Sequence, residues 1–202
     1  MSCYFWDFII YSFLGFLLEV LFSRVTHDKK RDRKCFYLLP LCPVYGLGAV
    51  LMVLLCKLVG NRWLLIPGIC MIASTAAEYA AGTFYQKILK VSFWDYSKLP
   101  LNINGQVCLY FSMAWSVLGL FLIWIVHPLV QKLTSGIPDV FFPPALAVFL
   151  LDAGLSAYLL RRFQTTRVLA WYANLPFYKR LKRTSRAYAP ADCIKVMKPI
   201  SK

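Results

Sequence analysis

The stretch FWDFIIYSFLGFLLEVLFSRVTHDKKRDRK, Phe5 to Lys34, decides the fold. Its first part, to Phe22, is nearly all apolar and long enough as a helix rising 1.5 Å per residue to cross most of a hydrocarbon layer about 30 Å thick. The basic cluster of Arg24, Lys29, Lys30, Arg31, Arg33 and Lys34 then halts it at a membrane face. A cleavable leader is not expected: no base precedes the stretch, Asp7 and Glu19 lie inside it, and no small-residue cleavage site follows.

Four further apolar stretches repeat the pattern, Leu38 to Val59, Trp63 to Leu89, Val107 to Val130 and Val140 to Leu160. Of the 23 Lys and Arg residues, six follow the first stretch, three the third (Lys87, Lys90, Lys98) and eleven the fifth. The opposite connections hold only Lys57, Arg62 and Lys132. Positive charge stays on the cytoplasmic side, so an odd number of spans is expected, with the amino terminus outside and the carboxyl terminus cytoplasmic. Because hydrocarbon leaves every backbone polar group to be satisfied internally, the spans are helices. The expected fold is all-α, a polytopic membrane bundle of about five transmembrane helices over residues 1–160, with a basic amphipathic cytoplasmic tail over 161–202.

With 202 residues, 59% of them hydrophobic, there is no room for a separate soluble domain of ordinary size. A net charge of +14 would suggest nucleic acid in a soluble protein, but here it lies on the membrane-flanking connections. Anionic headgroups, each base worth about 1 kcal/mol near the surface, are the expected partner, and nucleic acid is not. The seven cysteines show no CxxC, and the only histidines are His27 and His127, so no metal and no cofactor is expected.

Polar residues inside the spans point inward, to protein. Ser12, Gly15, Phe16, Glu19 and Ser23 share one stripe of the first span. In the second, Leu39-Pro40-Leu41-Cys42-Pro43-Val44-Tyr45-Gly46-Leu47-Gly48 admits either a simple kink or a broken helix at the mouth of a cytoplasmic-side cavity. In the third, Ser74, Glu78, Ala81, Gly82 and Tyr85 form one small-residue face suited to a central helix. The connection Phe93 to Gln106 mixes Trp94 and Tyr96, suited to the interface, with Asp95, Asn102, Asn104 and Gln106, which interfacial anchoring does not explain. The tail, with Trp171 and Phe177 among its bases, reads as an interfacial helix broken near Pro176.

Three acids lie well inside spans. Glu19 is about 7 Å in from Arg24, Glu78 about 13 Å in from Lys87, and Asp152 about 13 Å in from Arg161. A charged carboxylate at mid-span costs roughly 2.5–3.5 kcal/mol, so such groups are protonated, paired or balanced by a cation.

These residues also carry a resemblance. Glu19, Pro43 to Gly48, Glu78-Tyr79, and Trp94-Asp95-Tyr96-Ser97 followed by Leu101 to Gly105, Cys108-Leu109, Ser112 and Trp115 resemble the ABC-transporter type IV family of the CmpB type, small multi-pass membrane proteins. The likeness covers about Phe5 to Val130. Gly15-Phe16 stands where that family tends to have Gly-Trp, and Ser116 where it has Gly. The resemblance implies a transporter-type membrane component, and it lends no role to Asp152.

No GxxxxGK[ST] phosphate cradle is present, so ATP, if used, is hydrolysed by another chain. Three readings stay open. The first is a transporter-like plasma-membrane subunit, alone, self-associated or with partner subunits. Its polar cytoplasmic-half cavity would be lined by Glu19, Tyr45, Glu78, Tyr79, Asp95, Asn102, Asn104 and Trp115, for a cationic or proton-coupled substrate. The second is an intramembrane enzyme acting on lipid headgroups with Glu78 and Asp95 as acid and base, although no nucleophile constellation supports it. The third is a scaffold or assembly subunit whose polar groups only join helices.

Overall fold

The computed structural model describes residues 2–25, 35–60 and 62–169. The tail beyond 169, with the interfacial helix expected there, lies outside the described residues, as does most of the first basic connection. Helix α1 spans Ser2–Val25 and α2 spans Pro43–Val59. Helix α3, Ile66–Phe84, is entered by a 3-10 turn at Trp63–Leu65 and leaves through a π turn at Tyr85–Leu89. A two-stranded hairpin, β1 Asn102–Ile103 and β2 Val107–Cys108, precedes α4, Leu109–Phe121. A second π turn, Leu122–Val126, carries α4 on into α5, His127–Thr134, and α6 runs from Phe142 to Phe163.

Four of these rods are long and apolar enough to cross a membrane: Ser2–Phe22, Trp63–Leu89, Leu109–Thr134 and Asp139–Phe163. The fifth, α2, has 17 residues. This is an integral membrane helix bundle. Prolines set several of the boundaries. Pro43, Pro67 and the pair Pro143-Pro144 fall in the first turn of their helices, where a missing N–H leaves no ladder bond unmade. Pro128 has no such shelter, because it follows directly on the α4 rod. Its nitrogen cannot bond back along the helix, and the ladder widens just before it, with the His127 N–H reaching Leu122.

The second span is shorter than its hydropathy suggests. The chain is non-helical from residue 36 to 42, and the helix starts at Pro43 rather than Leu38. Pro40 and Pro43 each disfavour helical geometry in the preceding residue, which keeps Leu39 and Cys42 extended or turned.

Successive rods alternate in direction. The starts of α2 and α4 lie with the ends of α1, α3 and α6 at one end of the bundle, joined by Tyr45 to Glu19 and by Arg161 to the Ile88 carbonyl. Lys87, Lys90, Lys98 and Arg161 belong to this basic end. At the other, Thr134 meets Asp7 and Phe142 packs on Phe5. Helices α1 and α2 come close because neither Gly15, under Tyr45, nor Gly46, under Ser12 and Phe8, has room for a Cβ. Buried Tyr85, Leu89, Phe93, Trp94 and Leu160 form a core at the basic end, tying α3, the hairpin loop and α6 together.

Candidate functional site

The non-helical segment is held by α6. Asp152 is buried halfway along α6 and accepts the Leu38 N–H at 3.0 Å and the Leu39 N–H at 2.7 Å, one on each oxygen. Ser156, one turn on, accepts the Tyr37 N–H at 2.8 Å. Three successive amides that no helix satisfies thus find side-chain acceptors at a depth where water is scarce. Asp152 is a clasp for the backbone, and it does not line the cavity described below.

The loop before α4 is a folded unit rather than a polar lining. Asn104 and Gly105 both have positive φ, and the Gln106 N–H reaches the Ile103 carbonyl, a tight turn that only Gly and Asn-like residues enter cheaply. Asn102 donates to the Ser97 and Leu99 carbonyls and accepts from Gly105, while Asp95 accepts from the Ser97 N–H. Asn104 donates to the Tyr79 hydroxyl on the exposed side of α3. Trp94 donates to the Gln106 carbonyl, and both pack on Gly82, where a Cβ would strike the Gln106 side chain. Asp95, Asn102, Asn104 and Tyr79 therefore spend polar atoms on loop architecture, and none of them lines the cavity described next.

That cavity, of about 320 Å³, lies among α1, α2, α3 and α4. Leu14, Leu17, Leu18 and Leu21 wall one side, Leu118, Phe121 and Leu122 the other, and Tyr45, Ser74, Glu78 and Trp115 stand between them. Glu78 is 3% exposed and accepts a hydrogen bond from the Tyr96 hydroxyl at 3.0 Å. Tyr96 is carried there by the loop and stacks on Phe111, their centroids 4.8 Å apart. Burial and the nearby Glu78 charge push the Tyr96 phenol above its ordinary range, so it stays a donor. Tyr45 donates to Glu19 at 2.6 Å and sets its ring edge-on against Trp115. Tyr45–Glu19 and Tyr96–Glu78 are thus two hydrogen-bonded pairs, and of these four side chains Tyr45 and Glu78 line the cavity. Trp115 Nε1 is buried and finds no hydrogen-bond partner among the described residues. Of the eight residues expected at the site, Tyr45, Glu78 and Trp115 line the cavity, and Glu19 does not line it but is bonded to Tyr45, which does.

A second polar group joins α1 to α5 and was not expected from the sequence. Tyr11 and His127 Nδ1 are 2.6 Å apart, and Thr134 donates to Asp7 at 3.1 Å, all four side chains buried. Tyr11 also reaches the cavity wall. The only signal in the sequence is spacing, i and i+4 on α1 and i and i+7 on α5, which puts each pair on one face. A wider groove of about 590 Å³ between α1 and α6 is lined by Phe5, Ile9, Phe149 and similar residues and holds no ionisable group.

Comparison with known proteins adds one finding. A family model described as "Putative ABC-transporter type IV" matches residues 6–157. The chain belongs to this family. No curated protein and no solved structure matches it. The ABC-transporter type IV region reaches further than the motifs up to Trp115 suggest, since it takes in most of α6 and with it Asp152 and Ser156. The clasp is thus inside the family region, as are the cavity and the hairpin loop.

Proposed function

We propose that this member of the ABC-transporter type IV family is a transporter-type subunit of the plasma membrane, binding a cationic substrate in the cavity among α1, α2, α3 and α4. The observation that carries this reading is buried Glu78 in the wall of an otherwise largely apolar cavity, with Tyr45 beside it bonded to Glu19 and no Lys or Arg within the adjoining spans apart from those at their edges. The charge asymmetry favours a cytoplasmic basic end, and with that orientation Glu78 would lie in the inner half of the membrane. Anionic lipids at the tail, and a second copy or an ATP-hydrolysing partner chain, complete the proposed surroundings.

Thermal unfolding of the purified protein in detergent tests the reading, with tetraphenylphosphonium as a cationic probe and triphenylphosphine oxide as its uncharged counterpart. A ligand bound only by the folded state raises Tm, and the rise grows with the logarithm of its concentration above Kd. The cation is expected to raise Tm and the neutral compound to leave it unchanged. Equal shifts, or none, would remove the support for a cation site.

A further inference from the structure

We infer that Asp7, Tyr11 and His127 form a proton-binding site where α1 meets α5, and that the proton, once bound, reverses the hydrogen bond between Tyr11 and the ring. The site lies beside the cavity and needs no occupant there.

Helices α1 and α5 run antiparallel with two rungs between them, Tyr11 to His127 at 2.6 Å and Thr134 to Asp7 at 3.1 Å. Asp7 is 4% exposed, Tyr11 2% and His127 9%, and Val53 and Val130 pack beside Tyr11. A carboxylate kept from water needs a countercharge or several donors. Asp7 has one neutral hydroxyl, and among the described residues no Lys or Arg pairs with it. The ring on the next rung, one turn or about 6 Å along α1, can supply the missing charge by taking up a proton. Two charges act on that ring: Asp7 on α1 favours its protonation, and Lys57 near the end of α2 opposes it. Lys57 Nζ stands over the Tyr4 ring, 5.2 Å from its centroid, and the one base of α5, Lys132, is exposed.

The proton has one place to go. Tyrosine keeps its own proton at neutral pH, so the phenol donates, Nδ1 accepts, and the single hydrogen of the neutral ring sits on Nε2. A further proton from the aqueous phase therefore forms its N–H bond at Nδ1. That nitrogen then donates to the phenol oxygen, the O–H of Tyr11 turns from the ring to another acceptor, and Asp7 balances the imidazolium charge. Tyr11 also lines the cavity, so proton uptake changes the hydrogen bonding of a residue in its wall.

Nitrogen-15 NMR of labelled histidine in the full-length protein tests the site. The chain has two histidines, and His27→Gln leaves His127 as the single signal. At about pH 8 the ring should be neutral with its hydrogen on Nε2, and by about pH 5 it should have become imidazolium in one step. Asp7→Asn, added to this background, should lower the ring's proton affinity about tenfold. Tyr11→Phe should leave the neutral ring a mixture of its two tautomers, because the donor that reserves Nδ1 is gone. A ring still neutral at about pH 5, or a hydrogen on Nδ1 at about pH 8, would overturn the inference. So would a proton affinity unchanged or raised in Asp7→Asn, or an unaltered tautomer in Tyr11→Phe. The first two readings are made with Asp7 and Tyr11 in place, so they decide the matter even if those variants do not fold.

Discussion

Replacing Asp152 with alanine probes the clasp that fixes the start of α2. The change removes both acceptors of the Leu38 and Leu39 amides and leaves Ser156 holding Tyr37 alone. Hydrogen bonds to a charged group contribute about 1.5–3 kcal/mol each, hence about 3–6 kcal/mol for the pair. Part of this is returned, because a buried carboxylate is itself costly to keep from water. A net loss of about 3 kcal/mol is expected, and at about 2–4 °C per kcal/mol for a chain of this size Tm should fall by about 6–12 °C. Asp152→Asn keeps one acceptor but turns an amide donor toward the second N–H, so about half the loss should remain. A local readout separates the clasp from general weakening. Cys35 and Cys42 flank the held segment and are 6% and 0% exposed, while Cys70, also 0% exposed, sits in the α2–α3 core. In Asp152→Ala, maleimide should react faster at Cys35 and Cys42 with Cys70 still protected. Unchanged Tm together with unchanged reactivity at both flanking cysteines would refute the argument that Asp152 holds this backbone.

Three further outcomes are expected. Tyr11→Phe, which deletes the hydroxyl bonded to His127, should cost about 1–2 kcal/mol in thermal unfolding, and no change would deny the α1–α5 contact an energetic role. Because the Tyr96 phenol is held above its ordinary value of 10.0, the folded state keeps that proton longer than the unfolded chain. Its stabilisation should be complete below about pH 10 and decline as pH rises further, a slope that Tyr96→Phe should flatten and that an unaltered slope would contradict. For orientation, an impermeant maleimide should reach Cys193 only after the membrane is opened; labelling in intact cells would place the basic end outside.

The five rods were legible because length, hydropathy and the position of bases are properties of the chain alone. So were Glu78, Tyr45 and Trp115, polar or amphipathic groups in apolar surroundings with few ways to be satisfied. Partnership across the fold was not legible. Nothing in the sequence says that Asp152 meets backbone 113 and 114 residues away, or that Tyr11 meets a histidine three spans along. Asn102 and Asp95 were misleading for a physical reason: dense polar side chains beside a membrane span serve a cavity or a loop's own backbone equally well. The Asn104-Gly105 pair pointed to a hairpin turn, but flanking strands of two residues each carry too little alternation to be read as a sheet. The proline-rich entry to the second span admitted a kink or a break, and the side-chain acceptors on α6 are what make the break tolerable.

On the proposed function, Glu78 gives the cavity its preference for positive charge. Equilibrium binding of tetraphenylphosphonium, measured on folded protein for the native chain, Glu78→Gln and Asp139→Asn, tests it most directly. Asp139 is an exposed acid at the opposite end, so its loss alters net charge by the same amount without touching the cavity. Glu78→Gln should weaken binding about tenfold, about 1.4 kcal/mol, and Asp139→Asn should bind as the native protein does. Equal affinity in all three, or an equal loss in both variants, would contradict the account.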